Sequence, residues 1–367
     1  MKRDLLSGLW SAQPPPVLSA RDWELVLSQA RASRLMARLA HHCAARGWTH
    51  AMPGGAVKHL EAAQRFADRL RHEVLWEVEH VLVALRALPT PIVLLKGAAY
   101  LAAGLPPGLG RLFSDVDIMV QRDQLGAVEA ALFAAGWIPE KLSPYDDRYY
   151  RRWMHELPPL QHVERRTFLD VHHTIAPPTS RFAVDGGLLL AHCQPLADEP
   201  RLCVLQPVDM VLHSAVHLMQ EGDFGSGLRD LLDLNDLLIH FGQADPFWPA
   251  LLRRARELGT EVALHHVLVH VERLFGTRVP AALADEVELL APRRLRRRLM
   301  HALLSVALRP KHPSCDGRFT ALARSMLYVR SHGLRMPWHQ IAPHLLRKAW
   351  MRAAARREAP AGVKHAA

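Results

Sequence analysis

Apolar residues recur at three- and four-residue spacing from about Ala20 to Arg46. They do so more regularly from Val57 to Leu88, where Leu60, Phe66, Leu70, Val74, Val78, Val81 and Leu85 share one stripe. That period predicts amphipathic helices through the first quarter of the chain. At Pro91-Ile-Val-Leu-Leu95 the texture changes to a short apolar run with β-branched residues, bounded by Pro89 and Pro91 on one side and Gly97 on the other. Such a run predicts a buried strand, and Ala98–Ala103 after it predicts a helix. A Gly/Pro-rich loop, residues 104–110, leads into Phe113–Val120, whose first half alternates and whose second half is wholly apolar, as in a strand that begins at a cleft. Residues 124–135 are again helical in period, Gly136-Trp137-Ile138 starts an extended piece, and Leu160–Glu164 and Phe168–His172 flank a short turn like two strands of a hairpin.

Beyond Pro207 the helical period returns and persists, predicting helices at 208–220, 228–241, 248–258, 262–275, 293–308, 321–331 and 341–356. The order of elements predicts an α+β fold, a mixed sheet with flanking helices between an N-terminal helical segment and a C-terminal all-helical region. We place the divisions at 1–89, 90–206 and 207–367.

Composition narrows the class without naming a function. With 49% hydrophobic and 22% charged residues the chain has the makings of a folded core rather than a disordered one. The four cysteines are far apart and none forms a C-x-x-C pair, which argues against a zinc ribbon or a disulfide framework and for a reducing compartment. No apolar run is long enough for a signal-peptide core or a spanning helix, so a cytoplasmic location is expected. The net charge of +10 is compatible with nucleic acid, an anionic membrane or a phosphorylated substrate, but gives no strong nucleic-acid signal. The basic tracts 292–298 and 345–357, the second with Trp350, suit a weak contact with an anionic membrane or a partner protein, although a coat of solvated arginine is the commoner outcome.

The chemistry concentrates in the middle of the chain. Asp115 and Asp117 stand at i and i+2 in a strand-like segment, so both carboxylates point to one face and repel unless a cation lies between them. Hard divalent cations such as Mg²⁺ take oxygen ligands and keep sites for phosphate oxygens. A third acid, Asp170, occurs inside the apolar run Phe168–His172, where a lone carboxylate would be costly. Upstream, Lys96-Gly97 lies at a strand-to-helix turn, where backbone N–H groups and a lysine can hold phosphate; the alternative for Lys96 is a solvated strand end. Arg111 suits either a triphosphate or substrate carboxylate, or an ion pair orienting Asp115 or Asp117. His172 shares the face of Asp170 and His173 does not, and no zinc-like ligand spacing surrounds them, so a structural, hydrogen-bonded role is favoured. His213 and His217, at i and i+4, could share a metal, yet packing against the sheet is favoured. Arg229 and Asp233, one turn apart, predict an ion pair, with the alternative that their helix forms the far wall of the cleft.

The strings LLKGAAYLAAGL, SDVDIMV preceded by Arg111, LDVHHTI and LRDLLDLNDLL, spread over residues 90–240, resemble the bacterial uncharacterised nucleotidyltransferase family, a branch of the DNA polymerase beta superfamily. The resemblance implies that Asp115, Asp117 and Asp170 bind two Mg²⁺ ions, that Lys96, Gly97 and Arg111 contact the nucleotide, and that a nucleoside monophosphate passes from a nucleoside triphosphate to an acceptor hydroxyl. Lys96-Gly97 stands where the superfamily most often has Gly-Ser. The competing expectation is a non-catalytic module that binds a nucleotide or peptide on the same fold within a biosynthetic system; a nucleic-acid-modifying enzyme is a third. Crowded carboxylates are expected to destabilise the fold, so neutralising Asp117 is expected to raise thermal stability.

Overall fold

The computed structural model describes residues 3–12, 17–139, 148, 150–151 and 153–335. The helix expected at 341–356, and Trp350 with it, lies outside the described residues. A seven-stranded mixed sheet in the order β3-β4-β5-β2-β1-β7-β6 forms the centre. Its strands are β1 (Ile92–Leu94), β2 (Val116–Met119), β3 (Trp137–Pro139), β4 (Leu160–His162), β5 (Phe168–His172), β6 (Gln194–Leu196) and β7 (Glu199–Val204). With helices before, between and after these strands, the architecture is the α+β arrangement expected. Among the described residues no helix is long and apolar enough to cross a membrane.

The central strands are short and buried on both faces, which is why they read as continuous apolar runs rather than as alternation. β2 pairs antiparallel with β1, Val93 opposite Met119, and parallel with β5, Asp117 opposite Asp170. β4 and β5 form the expected hairpin, with Leu160 opposite Leu169. The pair β6–β7 and the short helix Gly186–Leu190 were not anticipated. Pro195 and Pro200 conceal the hairpin, although Leu202-Cys203-Val204 has the same buried, β-branched character as β1.

The helical stretch expected from Ala20 to Arg46 is two helices, Ala20–Ala32 and Met36–Ala45. The chain breaks between them at Arg34, whose backbone is left-handed at φ 57. The long helix Gly54–Ala84 buries Leu60, Val74, Val78 and Val81, but Phe66 from the same stripe is 56% exposed. Its Glu77 is buried and ties it to the sheet, accepting two hydrogen bonds from Arg165 at 2.8 and 2.9 Å. The main core joins the second half of this helix, the sheet and the helices Pro207–Gln220, Phe247–Glu257 and Glu261–Phe275. A smaller core holds the N-terminal helices together. Helix Gly227–Phe241 serves both, with Leu231, Leu234, Leu237 and Leu238 in the main core and Leu228 and Leu232 in the smaller one. Two apolar faces on one helix leave it a third, polar face, and that face meets the ends of β1 and β2. In the basic tract of helix Arg294–Ala307, Arg294, Arg296 and Arg298 are exposed beside Leu295 and Leu299.

A carboxylate cleft with a basic wall

A cleft opens where β1 ends and β2 begins. Its lining includes Lys96, Gly97, Arg111, Asp115 and Asp117 on the sheet side, Arg34 from the N-terminal helices, and His217, Arg229, Asp230 and Asp233 from the helices that follow the sheet. Asp117 is inside β2, while Asp115 precedes the strand rather than lying within it and accepts a 2.9 Å hydrogen bond from the Ser114 hydroxyl. Asp170 faces Asp117 across the parallel β2–β5 pair. The register therefore sets Asp170, in the middle of β5, beside Asp117, with Asp115 just before β2.

Their electrostatic states differ. Asp117 is buried, but the Lys96 ammonium at 3.0 Å and His172 Nε2 at 3.0 Å both reach its Oδ1, and against the burial these partners hold the carboxyl well below the usual carboxylate range. Among the described residues no ion pair reaches Asp170, and His172 lowers it only in part. Burial raises it first, the carboxylates of Asp117, Glu156 and Asp115 raise it further, and its carboxyl is pushed up to about 7. The expectation that neutralising Asp117 would stabilise the fold is therefore corrected. Removing its charge strands Lys96, and the repulsion falls on Asp170 instead. Carboxylate oxygens are the donors a hard divalent cation takes, yet among the described residues the side chains grouped closely enough to share a metal are His155, Glu156 and His172, and not these three acids.

Lys96 is not a solvated strand end. It is mostly buried, and although burial pulls its ammonium down, Asp117 and the neighbouring acids hold it above its ordinary value. Its backbone is left-handed at φ 45, a strained state for a residue with a Cβ and one that clusters at functional sites. Gly97 follows because nothing larger fits: a Cβ there would lie 2.8 Å from Arg111 Nε and 3.2 Å from the Phe113 ring. Gly110, at φ 65, lets the loop before Arg111 pack directly on the backbone of Ala37.

Arg111 is buried, and its ion pair is with Asp233 rather than with Asp115 or Asp117. Burial, then Arg229, pulls its guanidinium down to about 10, which leaves it charged at neutral pH. Asp233 also receives Arg38 at 3.4 Å, and Arg38 donates to the Pro107 carbonyl at 2.7 Å. Arg229 consequently pairs with its neighbour Asp230, at 2.7 and 3.0 Å, and not with Asp233 as the helical spacing suggested. The far-wall alternative for this helix describes its position. His213 and His217 are held well below the ordinary histidine range, His213 by burial and then Lys96, His217 by Lys96 and then burial, so both are neutral beside the cleft.

Sequence reasoning missed Arg34, Arg38 and Glu156. Arg34, in the turn between two N-terminal helices, and Arg38, in the second of them, lie more than fifty residues before the first acid, and Glu156 comes from a segment without periodicity. His172, expected to be structural, hydrogen-bonds directly to Asp117, while His173 turns away to the Met154 carbonyl at 3.3 Å.

No curated protein and no solved structure matches the chain. The family described as uncharacterised nucleotidyltransferase matches residues 19–276, which span the N-terminal helices, the sheet and the cleft's far wall. That membership supports a general role in nucleotidyl transfer. Because the match covers more than half of the sequence and includes every residue that lines the cleft, the chain belongs to the uncharacterised nucleotidyltransferase family.

Proposed function

We propose that the protein is a Mg²⁺-dependent transferase that moves a nucleoside monophosphate from a nucleoside triphosphate to an acceptor hydroxyl on a small molecule, protein or peptide. The observation that carries this reading is the register that sets Asp117 opposite Asp170, with Asp115 just before the same strand and the cations Lys96, Arg111, Arg34 and Arg229 lining the adjoining cleft. Carboxylates and cations gathered at one cleft suit a substrate that carries both metal and polyphosphate.

Asp115, Asp117 and Asp170 would hold two Mg²⁺ ions, which supply charge neutralisation at the phosphates and a lower pKa for the acceptor hydroxyl. The chain's own groups do the positioning. The Lys96 ammonium, paired with Asp117, stays charged in the cleft, and Gly97 leaves room for the Arg111 guanidinium and the Phe113 ring to lie against the turn. Arg111, fixed by Asp233, presents a cation that needs no reorganisation when the nucleotide binds. Arg34 and Arg229 close the cleft from the two helical regions.

Calorimetry with each nucleoside triphosphate, with and without Mg²⁺, tests binding, and mass spectrometry of a reaction with cell extract tests transfer. The reading requires Mg²⁺-dependent binding that Asp115→Asn abolishes, and an adduct of nucleoside monophosphate mass. Binding without any adduct would favour the non-catalytic module.

A further inference from the structure

We propose that His155, Glu156 and His172 form a separate site for a divalent transition metal of the zinc type, on the side of β5 next to Asp117. The backbone builds it. Leu157 N donates to Val171 O at 2.8 Å, His173 N donates to His155 O at 2.9 Å, and Glu156 bridges to His172, so the segment before β4 runs antiparallel along the end of β5. A bend at His155 lets consecutive residues turn to one side. One nitrogen from each histidine and one Glu156 oxygen then lie within 4.8 Å of one another.

The individual distances match a metal better than they match hydrogen bonds. His172 Nδ1 is 3.4 Å and His155 Nε2 is 3.7 Å from Glu156 Oε2. Zinc bonds of about 2.1 Å in tetrahedral geometry set neighbouring donors about 3.4 Å apart, whereas a charge-assisted N–H···O bond closes to about 2.8 Å. His172 Nδ1 is buried and, among the described residues, has no hydrogen-bond partner, and the side chain is 2% exposed. Nδ1 faces the Glu156 oxygen at a separation where a cation bound by both would satisfy the buried nitrogen and the carboxylate together.

The other ring nitrogen completes the case. His172 Nε2 donates to Asp117 Oδ1 at 3.0 Å, which leaves Nδ1 as the nitrogen that faces Glu156. A carboxylate behind the far nitrogen is the usual support of a metal-bound imidazole. His155 and Glu156 are 17% and 16% exposed, so a cation has a route in and a solvent position stays open. Two imidazoles and one carboxylate are softer ligands than the three-aspartate set, which separates the two sites by metal preference.

The experiment titrates chelator-treated full-length protein with Zn²⁺, in the presence of excess Mg²⁺, by calorimetry and elemental analysis. The wild type is expected to bind one equivalent more than the double variant His155→Ala/Glu156→Gln. That equivalent should survive in Asp115→Asn, which disables the Mg²⁺ cluster, so failure here and failure of the transferase reading are told apart. Asp117→Asn should keep the stoichiometry and weaken Zn²⁺ by about 10–100-fold. The grouped imidazoles of His265, His266, His270 and His301, which could also take zinc, cancel in the difference. If the double variant loses its fold by circular dichroism, Glu156→Gln alone, which keeps the side chain's size, replaces it. Co²⁺ should give strong tetrahedral visible bands in the wild type that the variant lacks. Equal zinc binding in wild type and variants, or only weak octahedral Co²⁺ bands, overturns the site.

Discussion

Replacing Asp170 with Asn keeps the side chain's shape and removes the carboxyl beside Asp117 that burial and three neighbouring acids oppose. Its ordinary value is 3.8 and in the folded protein it is pushed up to about 7, so the unfolded chain loses this proton about three pH units earlier than the folded one. A raised carboxyl contributes its stability in full below pH 3.8 and loses it as pH rises toward 7. At about 1.36 kcal/mol per pH unit the loss at neutral pH is bounded near 4 kcal/mol, and water entering the cleft lowers the expected value to about 1–3 kcal/mol. Asp170→Asn should therefore be more stable than wild type by about 1–3 kcal/mol at pH 7 without divalent cations, with the advantage shrinking to nothing near pH 4. Urea unfolding from pH 4 to 7.5, in chelator, reads it directly. Adding Mg²⁺ should reverse the order, because a ligand that binds only the folded wild type stabilises it by mass action. Equal stability at pH 7, or an advantage that stays constant down to pH 4, would refute the reasoning that Asp170 bears the repulsion.

Asp117→Asn should behave in the opposite way, losing about 1–3 kcal/mol in the same unfolding assay because Lys96 and His172 lose their shared acceptor; a stabilised variant would contradict the pairing. Gly97→Ala should displace Arg111 from Asp233 and cost about 1–3 kcal/mol, with Mg²⁺-dependent nucleotide affinity falling in calorimetry. Asp209 is fully buried and receives two hydrogen bonds from Arg254, at 2.8 and 3.0 Å, so Asp209→Asn should cost about 3–5 kcal/mol by denaturant titration. His266 and His270 are held down to about 3, by burial first and by neighbouring histidines, against an ordinary 6.5. Their stability is present above pH 6.5 and lost as pH falls toward 3, so His270→Leu should flatten the acid limb of the stability profile by about one proton.

Much of this protein could be read from local pattern. A buried strand must be apolar on both faces, and β1 and the second half of β2 carry that signature in a few residues each. The i, i+2 spacing of Asp115 and Asp117 and the odd acid at 170 singled out residues that strand pairing brings near one another, although Asp115 precedes β2 and only Asp117 pairs with a lysine. The helices after Pro207 declared themselves by period alone, and the residues that resemble the family are those same short strings.

What local pattern could not decide is which charge meets which. Ion pairs form between groups brought together by packing, and the packing here crosses long separations: Arg38 meets Asp233, Arg111 also meets Asp233, and Arg229 is left with Asp230. The helical i, i+4 rule supplied a partner for Arg229 that the tertiary fold had already given to others. Strand pairing, likewise a long-range choice, set Asp117 opposite Asp170 and brought Glu156 to His172. Lys96 settled on Asp117, and this pairing made Asp117 the stabilised carboxylate and Asp170 the strained one. The amino-acid sequence determines that three acids, a lysine and an arginine are present in or near strands. Their protonation and pairing follow from distance and burial, which exist only once the sheet and the helix Gly227–Phe241 have closed on one another.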